Sequence, residues 1–108
     1  MPTYLVERSL PGLTQKHLAT MQVALAEASR RLTASGSLVR YRGTTFLPAQ
    51  SRCLCLFDAT SVDRVKAVNE TAHVPFVAIN EAIERRRPLP KRPLSVRGPS
   101  ADRPLVER

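Results

Sequence analysis

The sequence predicts an α+β fold, a four-stranded antiparallel sheet with two helices on one face. Three observations carry this prediction. Cys53-Leu54-Cys55-Leu56-Phe57 is an unbroken apolar run of strand length, and such a run reads as a strand buried on both faces. Leu18, Met21, Leu25, Ala28 and Leu32 recur at three- and four-residue steps, the spacing of one helix face. A second stripe of the same kind, Val62, Val65, Val68 and Ala72, follows the apolar run.

Taken in order, Thr3–Ser9 is the first strand, with Tyr4, Val6 and Arg8 on one side and Leu5 and Glu7 on the other. Pro11-Gly12 breaks it. Thr14 caps a helix spanning about residues 14–34. Glu27 and Arg31 stand four apart in the favourable order for an ion pair, and Ser35-Gly36 ends the helix. Leu38 to Leu47 is the second strand. Val39, Tyr41, Gly43, Thr45 and Leu47 share one face; Leu38, Arg40, Arg42, Thr44 and Phe46 share the other. Gly43 marks a bulge or a close approach.

Pro48 to Ser51 is a short hairpin connection, which makes the second strand and the apolar run antiparallel neighbours. Thr60-Ser61-Val62-Asp63 supplies a hydroxyl followed three positions later by an acid, a helix start. The second helix runs to about residue 72, and His73-Val74-Pro75 connects it to a fourth strand, Phe76 to Glu84. In that strand Val77, Ile79 and Ile83 share one face, and Phe76, Ala78, Asn80 and Ala82 the other.

From Arg85 the periodicity stops. Residues 85–108 hold five prolines, eight basic side chains and two acidic ones, a composition that buries too little surface to offset its ordering entropy. The chain therefore divides into a domain, residues 1–84, and a disordered Arg/Pro-rich tail, residues 85–108. Most of the net charge of +8 belongs to the tail, and weak, salt-sensitive attraction to polyanions is expected of it. No window approaches the roughly 20 apolar residues of a membrane span. The two cysteines lie two apart on one strand, which implies no disulfide framework and a reducing compartment. With no secretory signal at Met1-Pro2-Thr3-Tyr4, a cytoplasmic location is expected.

The order β-α-β-β-α-β is the ferredoxin-like arrangement. Its usual sheet order, 4-1-3-2, puts the least interrupted strands, the first and third, at the centre. Two helices cover one sheet face only. The other would expose Leu5, Leu54 and Leu56 on one alternation, or Tyr4, Val6, Cys53, Cys55 and Phe57 on the other. An apolar face of this kind calls for a partner, and a second copy packed sheet to sheet is the simplest one. A homodimeric α/β barrel with a cavity between the sheets is expected.

Four polar residues of the strands are candidates for lining that cavity: Glu7, Tyr41, Arg40 and Arg42. Taken alone, Glu7 reads as an ion pair with Arg40 or Arg42 across the sheet; facing the cavity, it could act as a ligand or as a base with a raised pKa. Cys53 and Cys55 read as small buried hydrophobes, although a thiolate suits a soft metal. His17 and His73 are the only histidines, and imidazole is the donor most suited to nickel or zinc. Taken alone, each histidine reads as an ordinary surface or capping residue; for a metal, the candidate ligands are His17, His73 and Cys55. Nucleophile elbow, phosphate loop and dinucleotide fingerprint are all absent from the sequence. So is the basic-Gly-aromatic signature of an RNA-recognition module.

In several short stretches the chain resembles a family of small, poorly characterised ferredoxin-like proteins, some of them nickel-binding. These stretches are Met1-Pro-Thr-Tyr-Leu-Val-Glu-Arg8 followed by Leu10-Pro-Gly12, Val39-Arg-Tyr41-Arg-Gly-Thr-Thr45-Phe46, Cys55-Leu-Phe57-Asp-Ala59, and Pro75 ahead of Ile79-Asn-Glu81-Ala-Ile83. The resemblance covers about residues 1–84. It departs in the second helix, where the family's Glu-His-Ala-like segment is replaced by Ala67-Val68-Asn69. The resemblance implies a small dimeric barrel that binds a metal ion, nickel or another divalent transition metal, or a small ligand. The alternative is a cofactor-free monooxygenase or isomerase using the same barrel, an analogy of fold alone.

Overall fold

The computed structural model describes residues 1–85, 87 and 88. The rest of the expected tail, residue 86 and residues 89–108, lies outside the described residues. The elements are β1 (Thr3–Ser9), α1 (Gln15–Ala34), β2 (Val39–Leu47), a 3-10 turn (Pro48–Gln50), β3 (Arg52–Ala59), α2 (Val62–Thr71) and β4 (Ala78–Ala82). The strands form one antiparallel sheet in the order β2-β3-β1-β4, the expected arrangement. No helix among the described residues is long and apolar enough to cross a membrane.

Both helices pack on the same sheet face. Val6, Cys53, Cys55, Phe57 and Ala59 are fully buried beneath Leu25 and Ala28 of α1 and Val65 and Val68 of α2. The apolar run is therefore enclosed on one side only, because Leu54 and Leu56 on the other side are half-buried. Of the two alternations, the open face is the one carrying Leu5, Leu54 and Leu56, with Leu5 opposite Leu56.

Helix α1 begins as expected, the Thr14 hydroxyl accepting from the His17 N–H at 3.1 Å. Its ion pair differs: Glu27 pairs with Arg30, one turn position earlier than Arg31. Helix α2 is capped at Ser61, and that side chain makes no capping bond, so the Thr60–Asp63 start signal is not used as such. Strand β4 is shorter than expected. Pairing reaches only Ala82, and Val77 and Ile83 are exposed, since Pro75 and the turn before it hold the chain clear of β1 until the Val77 N–H meets the Glu7 carbonyl.

The largest correction concerns β2. The register against β3 shifts between Tyr41 and Gly43, where Gly43 takes φ of 149°. An extra residue in one strand inverts the alternation beyond it. Val39 and Tyr41 face the helices, which takes Tyr41 away from the cavity it was expected to line, and beyond Gly43 Thr44 and Phe46 join them, opposite Cys55 and Cys53. Gly43, Thr45 and Leu47 turn to the open face.

Candidate functional site

The open sheet face is built from alternate residues of all four strands. Its floor is Leu5, Leu54 and Leu56, with Thr45, Ala78 and Asn80 around them in register. Each end is closed by charge. At one end Glu7 pairs with Arg52 at 3.3 Å. The expected partner of Glu7 was Arg40 or Arg42; the β1–β3 register instead sets it diagonally beside Arg52.

At the other end Asp58 is the hub. It accepts from the Thr3 hydroxyl at 2.8 Å and pairs with Arg40 at 3.2 Å and Arg42 at 3.5 Å. Arg42 also meets Glu84 at 2.6 Å, and the bond to Glu84 raises the already high pKa of Arg42. Because β2 and β4 are opposite edges of the sheet, the Arg42–Glu84 pair reaches across β3 and β1 and straps this end of the face. Asp58, Arg52 and Glu84 were not singled out in the sequence. Two-residue steps from Leu54 and Leu56 would have placed Arg52 and Asp58 beside the leucines.

Tyr41 is elsewhere. Its ring lies 5.3 Å from that of Phe57 on the helix side. The Gln22 amide donates to its hydroxyl at 3.1 Å, that hydroxyl bonds to Thr44, and Thr44 meets the Cys55 sulfur at 3.0 Å. A groove of about 460 Å³ between α1 and β2 is lined by Tyr41 and Arg40 together with Ala26, Ser29, Thr33 and Val39. The structure thus brings Arg40 and Arg42 together on Asp58, and Arg40 and Tyr41 together at this groove. It leaves Glu7 at the far end of the open face.

The three candidate metal ligands are spread over three elements. His17 is exposed in the first turn of α1, and His73 is exposed after α2 with φ of 57°. Cys55 is fully buried in the middle of β3. No cluster of three or more His, Cys, Asp or Glu side chains able to hold a metal ion occurs among the described residues.

Residues 4–82 match the family described as "Nickel responsive protein SCO4226-like". No curated protein matches the chain. Among solved structures it is similar to the one described as the crystal structure of SCO4226 from Streptomyces coelicolor A3(2). The TM-score is 0.67 at 20% sequence identity, with 78% of this chain and 99% of that chain covered. At that identity the likeness is one of fold.

Proposed function

The chain belongs to the SCO4226-like family of nickel-responsive proteins, and on that premise we propose that it is a small binding protein whose site is the open sheet face, closed by a second copy packed sheet to sheet. The observation that carries this reading is the uncovered leucine floor, Leu5, Leu54 and Leu56, between two charged ends. A face with an apolar floor and a few fixed polar groups at its ends has the make-up of a small-ligand site once covered.

The nickel that the family name implies does not fit the donors of one protomer. Both thiols are buried on the other sheet face and both histidines are exposed at separate helix ends. Each open-face carboxylate, Glu7, Asp58 and Glu84, is already bound by an arginine. A small organic ligand over the leucines fits this arrangement better than a metal ion, and the Glu7–Arg52 and Asp58–Arg40–Arg42 pairs would orient its polar groups. The alternative of a cofactor-free enzyme loses Tyr41, which faces α1.

A second reading places the ligand in the groove between α1 and β2, favoured by the meeting of Arg40 and Tyr41 there. Two measurements test the proposal. Light scattering at micromolar concentration is expected to give twice the chain mass, and calorimetry with Ni²⁺ is expected to show nothing tighter than about 100 μM. A monomer, or tight Ni²⁺ binding by the wild-type chain, would overturn the corresponding half. Amide shifts on titration with a small-molecule library separate the two ligand sites, at Leu5, Leu54 and Leu56 or at Ala26, Thr33 and Val39.

A further inference from the structure

Arg42 is the residue that the β2 bulge inserts. In the register against β3, Tyr41 and Gly43 each have a partner and Arg42 has none. Bulges re-aim a side chain next to functional sites, and this one sends a guanidinium over the open face. There its Nη1 meets Asp58 at 3.5 Å and Glu84 at 2.6 Å. The two carboxylates are held very differently. Asp58 is 13% exposed and is also bound by Thr3 and Arg40. Glu84 is 43% exposed, and its one partner among the described residues is Arg42. It stands two residues beyond Ala82, where the pairing of β4 with β1 ends, and Ile83 between them is exposed.

An ion pair this open to solvent contributes little to stability, so another carboxylate can take the place of Glu84 at small cost. The apolar part of the incoming molecule then decides occupancy. Leu56 is in register with Gly43, next to Arg42, and Leu5 lies beside it. Leu54 follows one two-residue step further on, roughly 7 Å away. Arg40 and Arg42 are balanced by Asp58 and one more negative charge, which suits a monocarboxylate. Taking the open face as the ligand site, we propose that its ligand is a small carboxylate with an apolar body. Arg42 recognises the carboxylate, the leucines hold the body, and Glu84 occupies the carboxylate position in the free protein.

The test titrates the full chain with hexanoate, and with hexan-1-ol as the uncharged probe of similar apolar body, at constant pH and ionic strength. The amide resonances of Leu5, Leu54 and Leu56 report binding. Hexanoate is expected to bind about threefold to tenfold more tightly than hexanol, because its bond to Arg42 is charge-assisted on both sides. It should also bind about fourfold more tightly than pentanoate, the effect of one further buried CH₂. Arg42→Gln should bring hexanoate down to the level of hexanol. Glu84→Gln removes the competing carboxylate and should tighten hexanoate by about twofold to fivefold, with hexanol unchanged.

Equal affinities for hexanoate and hexanol in the wild type overturn the carboxylate assignment and leave the leucines as the site. Leucine resonances unmoved by either probe overturn the open face as a ligand site, and the assignment with it. Should Arg42→Gln not fold, Glu84→Gln decides the matter, since a merely structural Glu84 would leave the hexanoate affinity unchanged, and that result overturns the proposal.

Discussion

Where a side chain sits governs its chemistry most visibly at Cys53. Both cysteines are fully buried and unpaired. Burial pushes the Cys53 thiol above its ordinary value of 9.0; the neighbouring Cys55 adds to the shift, and the Arg8 charge opposes it. The thiolate is the reactive form, so a buried thiol held protonated should be inert. Ellman's reagent at pH 8 is expected to react with neither cysteine in the folded protein and with both in denaturant. The linkage has a definite sign. Since the folded state holds this proton more tightly than the unfolded one, the contribution is intact below about pH 9 and is lost as pH rises through the folded pKa. Cys53→Ala should therefore lose stability less steeply above pH 9 than the wild type, as seen in urea titrations at pH 8 and pH 10. Equal slopes would show that other groups dominate. At this scale the sequence was informative about type and silent about surroundings. Cys55 was legible as a small core residue because alternation puts it beside Phe57, whereas the burial of Arg8 was not. The Tyr4–Val6–Arg8 alternation left open which side of the sheet these residues take, the charge of Arg8 argued for solvent, and the Pro75 carbonyl that it meets lies far away in the sequence.

The bulge in β2 is the element-scale feature with most consequence. Gly43 adopts φ of 149°, a conformation open to glycine and strained for other residues. A Cβ added there would touch nothing within 4 Å. Gly43→Ala should thus reveal the backbone cost alone, about 1–2 kcal/mol, read as a lower urea midpoint at unchanged slope. A neutral result would mean that the strand can re-form without the bulge. The same bulge explains how far the elements could be read in advance. Helix α1 and strands β1 and β3 were legible because uninterrupted periodicity defines them, and Thr14 and Gly36 mark the ends of α1. Past Gly43 the parity of β2 inverts, so Thr44 and Phe46 reach the core against expectation. A two-residue period cannot reveal this, because the extra residue is visible only against the partner strand. Strand β4 failed for a related reason. Phe76, Val77 and Ile83 have strand-like character, but pairing depends on where Pro75 releases the chain onto β1.

For the whole molecule the question is what covers the open face. The β-α-β-β-α-β order was enough to leave one face bare, and the register then identified it as the Leu5–Leu54–Leu56 face. What the sequence could not reveal was how the charged ends are wired, since Asp58 with Arg42 and Arg42 with Glu84 join residues far apart in the chain. Leu56 is the central test position, flanked in register by Leu5 and Gly43. Burying a leucine is worth about 1.5–3 kcal/mol. In a two-fold symmetric pair each substitution is felt twice, so Leu56→Lys should cost the interface about 3 kcal/mol or more. That corresponds to a roughly hundredfold weaker dimer. Because Leu56 is already half-buried in one protomer, the domain itself should stay folded, and circular dichroism checks that. Val23→Lys is the matched control, a 64% exposed apolar residue on α1, away from this face. Light scattering across a concentration series should move only the Leu56→Lys protein toward the monomer. If both variants keep the wild-type mass at every concentration, two sheets do not meet on these leucines.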